Sequence, residues 1–141
     1  MRITPRTTVP AFLLAATVCM YGCGSGSGAP QSAVANVQIK ERDFKISGPE
    51  TFPSGHLDLS VDNLGPDDHE LIIARASGQL PRRADGLTVD EKAIEKQTVG
   101  TLEPGIGSRG VAVNLRPGRY VMFCNMQGHY LGGMHQAFQV R

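Results

Sequence analysis

The sequence has little of the charge that a nucleic-acid-binding protein needs. Charged residues make up 19% of its 141 residues, and the formal net charge is +1. Lys and Arg form no run longer than Arg82-Arg83, so the clustered positive charge that neutralises phosphates is missing. We therefore expect neither nucleic-acid binding nor docking on a membrane through a polybasic segment.

Long apolar runs are also missing, and this excludes a membrane-spanning helix. The apolar stretch 9–18 is too short to cross a bilayer, and Arg2 and Arg6 precede it. A short cationic region followed by an apolar one of this length is typical of a signal peptide. We predict that residues 1–22 are a signal peptide and that the protein is exported, to the periplasm or another extracytoplasmic compartment.

The end of this signal resembles that of bacterial lipoproteins, in which a cysteine after a small residue is lipidated. Gly22 and Cys23 fit this pattern, whereas Tyr21 matches it poorly. The Gly/Ser-rich residues 23–33 would then form a flexible tether to the membrane, and residues 34–141 the folded domain. The alternative is ordinary secretion, with cleavage between Gly22 and Ala29.

Cysteine is scarce, and its distribution restricts the chemistry. Of three cysteines, Cys19 lies in the apolar stretch and Cys23 at the tether, which leaves Cys124 alone in the predicted domain. That domain can therefore form no internal disulfide. Because a lone thiol is at risk in an oxidising compartment, we expect Cys124 to be buried or bound to a ligand.

What the sequence does have is turn residues between short alternating segments. It contains 17 glycines and 9 prolines, and apolar residues recur at every second position in several segments. The clearest apolar positions are Val37 and Ile39; Phe44 and Ile46; Leu57, Leu59 and Val61; and Val111, Val113 and Leu115. The pattern predicts an all-β fold, a β-sandwich of seven or eight strands. One short helix is expected in 88–96, with Thr88 and Glu91 at capping-box spacing, inside a long inter-strand excursion over 76–110.

A possible metal site is concentrated near the C-terminus. Cys124, His129 and Met134 follow one another at Cys-x4-His-x4-Met spacing, and His69 precedes the apolar run 71–74. One thiolate, two imidazoles and a weak thioether suit copper in both oxidation states. Zinc would normally take a fourth strong ligand, for which the predicted domain has no second cysteine and no suitably spaced histidine pair.

The residues Tyr120-x-x-Phe123-Cys124-x3-Gly128-His129-x3-Gly133-Met134, with His69 upstream, resemble the cupredoxin family of blue copper proteins. The loop is most similar to that of rusticyanin and related small bacterial cupredoxins. The resemblance implies a Greek-key β-sandwich with one copper ion, bound equatorially by His69, Cys124 and His129 and axially by Met134. One position departs from the family pattern: Glu70 stands where Asn or Ser usually follows the first histidine.

Each of these residues also has a simpler interpretation. Cys124 could be a small buried apolar residue, His69 a solvated loop histidine and Met134 core filler. We expect His56 and His135 to be surface residues and Met122 and Met126 to pack, with Met126 close to the rim of the site.

The function expected from this site is electron transfer by a copper protein that is not an enzyme. The ligand set leaves no obvious open position for a substrate, and no catalytic constellation appears elsewhere in the sequence. Redox partners would dock transiently near His129, and the protein is expected to be a monomer. The alternative is a copper-sequestering or copper-delivery protein. A fragment of a multicopper enzyme would need further coppers and a longer chain.

Overall fold

The computed structural model describes residues 34–141, so the predicted signal peptide 1–22 and tether 23–33 lie outside the described residues. Nine strands and one short helix make up the described part. The strands are β1 (Ala35–Arg42), β2 (Lys45–Ser47), β3 (Thr51–Phe52), β4 (Gly55–Asn63), β5 (His69–Arg75), β6 (Thr98–Gly105), β7 (Gly107–Leu115), β8 (Gly118–Phe123) and β9 (His135–Val140). The helix α1 spans Glu91–Ile94.

The strands form two sheets that share one core. The four-stranded sheet has the order β2-β1-β4-β7, and the five-stranded sheet has the order β3-β9-β8-β5-β6. Apolar side chains at alternate positions of both sheets meet in a single buried cluster, for example Leu59 and Val61 of β4 with Ile73 of β5 and Met122 of β8. Two sheets with a common core form a β-sandwich. The predicted fold class is therefore confirmed.

Alternation in the sequence sets which face of each strand is buried. Leu57, Leu59 and Val61 of β4 are buried while the residues between them are more exposed. The parallel pairing of β1 with β4 places Val37 opposite Leu59 and Ile39 opposite Val61, so the apolar positions of both strands lie on the same face.

The outer face of the five-stranded sheet is covered by the segment that joins β5 to β6. Leu80, Val89 and Ile94 of this segment form a second buried cluster with sheet residues that include Ile72 and Phe123. The excursion therefore shields the back of the two strands, β5 and β8, that lead to the predicted metal ligands.

The helix in this excursion is shorter than predicted and begins elsewhere. Asp90 is its N-cap and accepts a hydrogen bond from the Ala93 N–H at 3.2 Å, so the capping box predicted at Thr88 is wrong. The Thr88 carbonyl instead accepts the Arg83 N–H at 3.0 Å, beside the bridge between Arg82 and Val89. Within residues 34–141, no helix has the length and apolarity needed to cross a bilayer.

Two other local predictions were wrong. The excursion ends at residue 97 and not at 110, because β6 occupies Thr98–Gly105. This edge strand contains Gly100 and Pro104 and buries little surface, so its sequence lacks a clear alternation. Phe44 does not alternate with Ile46 in a strand: it lies in the turn between β1 and β2 with φ 61°.

Candidate metal centre

Three of the predicted ligands converge at one end of the sandwich. The potential ligand atoms of His69, Cys124 and His129 all lie within 4.8 Å of one another. His69 begins β5, Cys124 directly follows β8, and His129 lies in the loop between β8 and β9. Because β5 and β8 are hydrogen-bonded neighbours, the fold brings the upstream histidine to the cysteine.

The state of the His69 ring is fixed by Asp43. The Nε2 atom of His69 lies 3.1 Å from the Asp43 carboxylate, which can only accept when ionised, so Nε2 carries the proton. The Nδ1 atom is buried and has no hydrogen-bond partner. Burial lowers the pKa of His69, with a further contribution from His129, although the hydrogen bond to Asp43 opposes the shift. A neutral imidazole with a free Nδ1 is the form that binds a metal.

Cys124 is fully buried, and its sulfur lies close to both histidines. Its Sγ atom lies 3.5 Å from Nδ1 of His129. Burial raises the pKa of the thiol, whereas hydrogen bonds from the backbone N–H groups of Glu70 and Met126 oppose this increase. Without a cation nearby the thiol therefore keeps its proton.

Backbone hydrogen bonds close the loop between β8 and β9. The Cys124 N–H donates to the Met134 carbonyl and the Met134 N–H to the His129 carbonyl, both at 3.0 Å. Gly128 and Gly133 have φ values of 83° and 108°, a region that other residues rarely adopt. The loop thus folds back on itself and places Met134 next to Cys124 and His129.

Met134 is fully buried in the main core cluster together with Cys124. Its burial is compatible both with an axial ligand and with core packing, so the axial role stays a prediction. The other candidate histidines lie outside the cluster of ligand atoms and are exposed: His135 is hydrogen-bonded to the Tyr130 carbonyl, and His56 lies near Asn114. Met122 is buried in the core, and the partly buried Met126 packs against the same core cluster.

The residue that departs from the family pattern, Glu70, takes part in the site through its carboxylate. Its Oε1 atom accepts the Asn125 N–H at 3.0 Å, which joins β5 to the residue after Cys124. Burial raises the pKa of Glu70, the Asn125 hydrogen bond opposes this, and the charges of Glu91 and Glu103 add to it. The Glu70 carboxylate thus holds the backbone directly after Cys124.

A contact between Glu41 and Arg109, next to the His69 backbone, was missed in the sequence. Glu41 is fully buried, and its Oε2 atom lies 3.0 Å from Nη2 of Arg109, which also donates to the His69 carbonyl at 2.9 Å. Burial raises the pKa of Glu41 to about 7, with Arg109 opposing and Glu70 adding to the shift. The sequence contained one signal that Glu41 is buried: it lies two residues after Ile39, on the buried face of β1.

Exposed apolar side chains lie near His129, which is half-buried, and near His69. Four of them, Phe44, Leu64, Ile106 and Leu131, are 48% to 66% exposed and form what we call the apolar patch. The Phe44 ring lies 5.4 Å from the His129 ring, and Leu131 lies in the same loop. Leu64 precedes Gly65, which faces His69, and Ile106 follows Gly105, which pairs with His69. Phe44 was missed because its sequence context resembled a strand.

The donor set fits a transition metal. One thiol and two imidazoles, one with an unpartnered buried Nδ1, lie close enough to bind one ion. Such a set favours soft or borderline cations over Mg²⁺ or Ca²⁺, which prefer oxygen ligands.

Comparison with known proteins gives a fold but no close relative in sequence. The sequence matches no protein-family model and no curated protein. Among solved structures, a reduced auracyanin from the photosynthetic bacterium Roseiflexus castenholzii is similar, with a TM-score of 0.61 and 18% identity over 77% of this chain and 98% of the other. Auracyanin B gives a TM-score of 0.54 and 17% identity, covering 76% of this chain and 88% of its own.

Rusticyanin from Thiobacillus ferrooxidans is also similar, with a TM-score of 0.55 and 14% identity over 75% of this chain and 77% of the other. These likenesses agree with the β-sandwich described above. The chain therefore has the cupredoxin fold, as its ligand loop indicated.

Proposed function

We propose that this protein is an exported mononuclear copper protein that carries single electrons between redox partners. The observation that carries the proposal is the cluster of His69, Cys124 and His129, whose ligand atoms lie within 4.8 Å of one another in a cupredoxin fold. His69, Cys124 and His129 would bind the copper ion strongly, and Met134 would bind it weakly from the axial side. The bound ion would supply Cu(I)/Cu(II) cycling.

The protein's own residues support a carrier more than an enzyme. Cys124 and His69 are fully buried, so a substrate has no direct approach to the ion from their side. His129 is half-buried and is the ligand nearest to solvent. Electrons would therefore pass through its imidazole, with copper kept away from bulk water.

The second candidate function is copper sequestration or delivery. The unpartnered Nδ1 of His69 and the thiol of Cys124 would bind copper tightly in that case as well. Delivery requires that a partner's ligands reach the ion, and the burial of both residues disfavours this exchange. Electron transfer requires only close approach, and this favours the carrier.

The apolar patch around His129 is the proposed docking surface for redox partners. Phe44 and Leu131 are large and exposed, and a small apolar surface of this kind suits weak, short-lived complexes. The protein itself would act as a monomer in the periplasm or another extracytoplasmic compartment. Lipidation at Cys23 would hold it at the membrane.

The test is the visible spectrum of purified protein comprising residues 23–141, the tether and the folded domain, after addition of one equivalent of Cu(II). We expect an intense thiolate-to-copper band that ascorbate bleaches and that reoxidation restores. Cys124→Ser should lose the band, whereas His56→Ala, a change at an exposed histidine outside the cluster, should keep it. A copper-loaded protein that stays colourless would overturn electron transfer and favour sequestration.

A further inference from the structure

Asn125 uses its backbone N–H and both polar atoms of its side chain. Its backbone N–H donates to Glu70 at 3.0 Å, and its side-chain Oδ1 accepts the Val89 N–H at 2.6 Å. The Nδ2 atom donates to the Val89 carbonyl at 3.1 Å and to Oε1 of Glu91 at 2.7 Å. Asn125 is only 6% exposed. A buried amide with all its side-chain donors matched is a strongly determined contact.

Two of these partners belong to the segment that covers the sheet. We call residues 80–94 the covering segment; it contains Val89, which is fully buried, and Glu91 in the first turn of α1. The same segment reaches the loop twice more. The Leu87 carbonyl accepts the Gly128 N–H at 3.4 Å, and Tyr130 packs into the cluster that contains Val89. The contacted residues Asn125 and Gly128 lie between the proposed ligands Cys124 and His129 in the chain, and Tyr130 directly follows His129.

Glu70 connects this network to the other proposed ligand. Its carboxylate accepts the Asn125 N–H at 3.0 Å. Since Glu70 follows His69 directly, the backbone on both sides of the cluster is tied to Asn125. A shift of Asn125 would therefore move Cys124 relative to His69.

We propose that Asn125, held by Val89 and Glu91 of the covering segment, is a positioning residue that sets the 124–129 segment in its ligand geometry before the metal binds. The inference rests on the proposed copper function and adds a role for the excursion that covers the sheet. Ligands fixed by such contacts keep the same geometry in both oxidation states. The backbone resists the rearrangement that each oxidation state of the ion would prefer.

The first test uses the metal-free protein. Asn125→Asp keeps an acceptor for the Val89 N–H, but it removes both donors and places a carboxylate against Glu91. We expect hydrogen exchange of the 124–134 amides, measured by NMR, to accelerate about tenfold or more, as loss of buried hydrogen bonds allows local opening. Amides in the β1–β4 pairing should exchange as in the wild type, which shows that the sandwich is intact.

Rescue separates positioning from general damage. In Asn125→Asp combined with Glu91→Gln, the glutamine amide donates to the new carboxylate and reverses the original hydrogen bond. Exchange should move back towards the wild-type rate without reaching it, because the Val89 carbonyl still faces a carboxylate oxygen. Glu91→Ala, at an exposed residue, should give a smaller acceleration without loss of the fold. The matched control is Asn114→Asp, the same change at an exposed asparagine on β7.

The copper-loaded forms give the second readout. We expect the visible band and the reduction potential to shift in Asn125→Asp, to move back in the rescued double variant and to stay unchanged in Asn114→Asp. Unchanged amide exchange and an unchanged spectrum in Asn125→Asp would overturn the proposal. A double variant in which neither the exchange rates nor the spectrum moves back towards the wild type would also overturn it. If the wild type shows no copper band while loop exchange responds as described, the copper function fails and the positioning role of Asn125 stands.

Discussion

The Asp43 carboxylate lies 3.1 Å from Nε2 of His69 and leaves Nδ1 of the same ring without a partner. This contact orients the imidazole and makes it a more basic ligand, because the hydrogen-bonded carboxylate shares the charge that forms on the ring. Asp43 lies in the turn after β1, far from His69 in sequence, so its importance follows from the packing of the two sheets.

Asp43→Asn should raise the reduction potential of the copper-loaded protein. The amide oxygen can still accept from Nε2, but the negative charge that stabilises Cu(II) more than Cu(I) is lost. Potentiometric titration measures the shift. Asp68→Asn, which removes an exposed charge from the loop before His69, should shift the potential less because water screens that charge. A lowered potential in Asp43→Asn would contradict this assignment.

Met134→Leu should keep both the visible colour and the fold, because the strong bonding comes from the thiolate and the two imidazoles. Its reduction potential should rise, since a lost axial donor destabilises Cu(II) more than Cu(I), and it should fall in Met134→Gln, which offers a harder donor. His135→Ala, next in the chain but exposed, should change neither spectrum nor potential. If His135→Ala moves the potential and Met134→Leu does not, the axial ligand is wrongly assigned.

Stability of the metal-free protein should fall as the pH rises, because of Glu41. Its folded-state pKa is raised from 4.5 to about 7, so the folded protein holds this proton more tightly than the unfolded chain. The contribution is fully present below pH 4.5 and is lost as the pH rises through 7. Between pH 5 and 8, the free energy of unfolding should decline by up to about 3 kcal/mol more in the wild type than in Glu41→Gln.

Urea unfolding of both proteins at several pH values measures this difference. Glu50→Gln, a change at an exposed carboxylate between β2 and β3, is the control and should keep the wild-type pH dependence. An identical pH dependence in Glu41→Gln and wild type would mean that Glu41 stays ionised beside Arg109 over this range.

Leu131→Asp should slow electron exchange without changing the copper site. A charge in the apolar patch would be desolvated in each encounter complex, so the self-exchange rate of a Cu(I)/Cu(II) mixture should fall about tenfold. NMR line broadening measures that rate, and the visible spectrum should stay as in the wild type. Val99→Asp, at an exposed apolar residue of β6 outside the patch, should exchange at the wild-type rate. Equal slowing in both variants would exclude the patch as the docking surface.

Cys23→Ala should release the protein from the membrane fraction or block its maturation, because the proposed lipid is attached to this sulfur. The copper spectrum of the released domain should be unchanged. Intact mass spectrometry of the wild-type protein distinguishes the two export routes: a diacylglyceryl-modified Cys23 supports the anchor, and an unmodified N-terminus beyond Cys23 supports simple secretion.

The sequence predicted those parts of the fold that local periodicity determines. Alternation placed Leu57, Leu59 and Val61 on one strand face, and the buried core contains all three. It failed for β6, where edge position leaves little apolar surface to bury, and for Phe44, whose left-handed backbone is set by a turn. Neither the edge position nor the turn leaves a periodic signal in the chain.

The candidate ligands were predictable because three of them lie in one loop with a specific spacing. Their supporting groups were not. Asp43 and Glu41 lie far from His69 in sequence, and Asn125, although next to Cys124, is held by Val89 and Glu91 of the excursion. Charged or amide side chains at such positions look like ordinary surface residues. Only Glu41, placed on the apolar face of β1, left a trace in the pattern.

The loop that closes through the Met134 carbonyl has a consequence for unfolding. Three of the four proposed ligands lie within residues 124–134, and they stay neighbours when the chain unfolds. Unfolding separates His69 from the other three proposed ligands and removes the fixed geometry of the loop. The denatured chain would therefore keep part of its affinity for copper. An ion that binds both states stabilises the folded one only by the difference between the two affinities. Copper should therefore raise the melting temperature by less than its affinity for the native site implies.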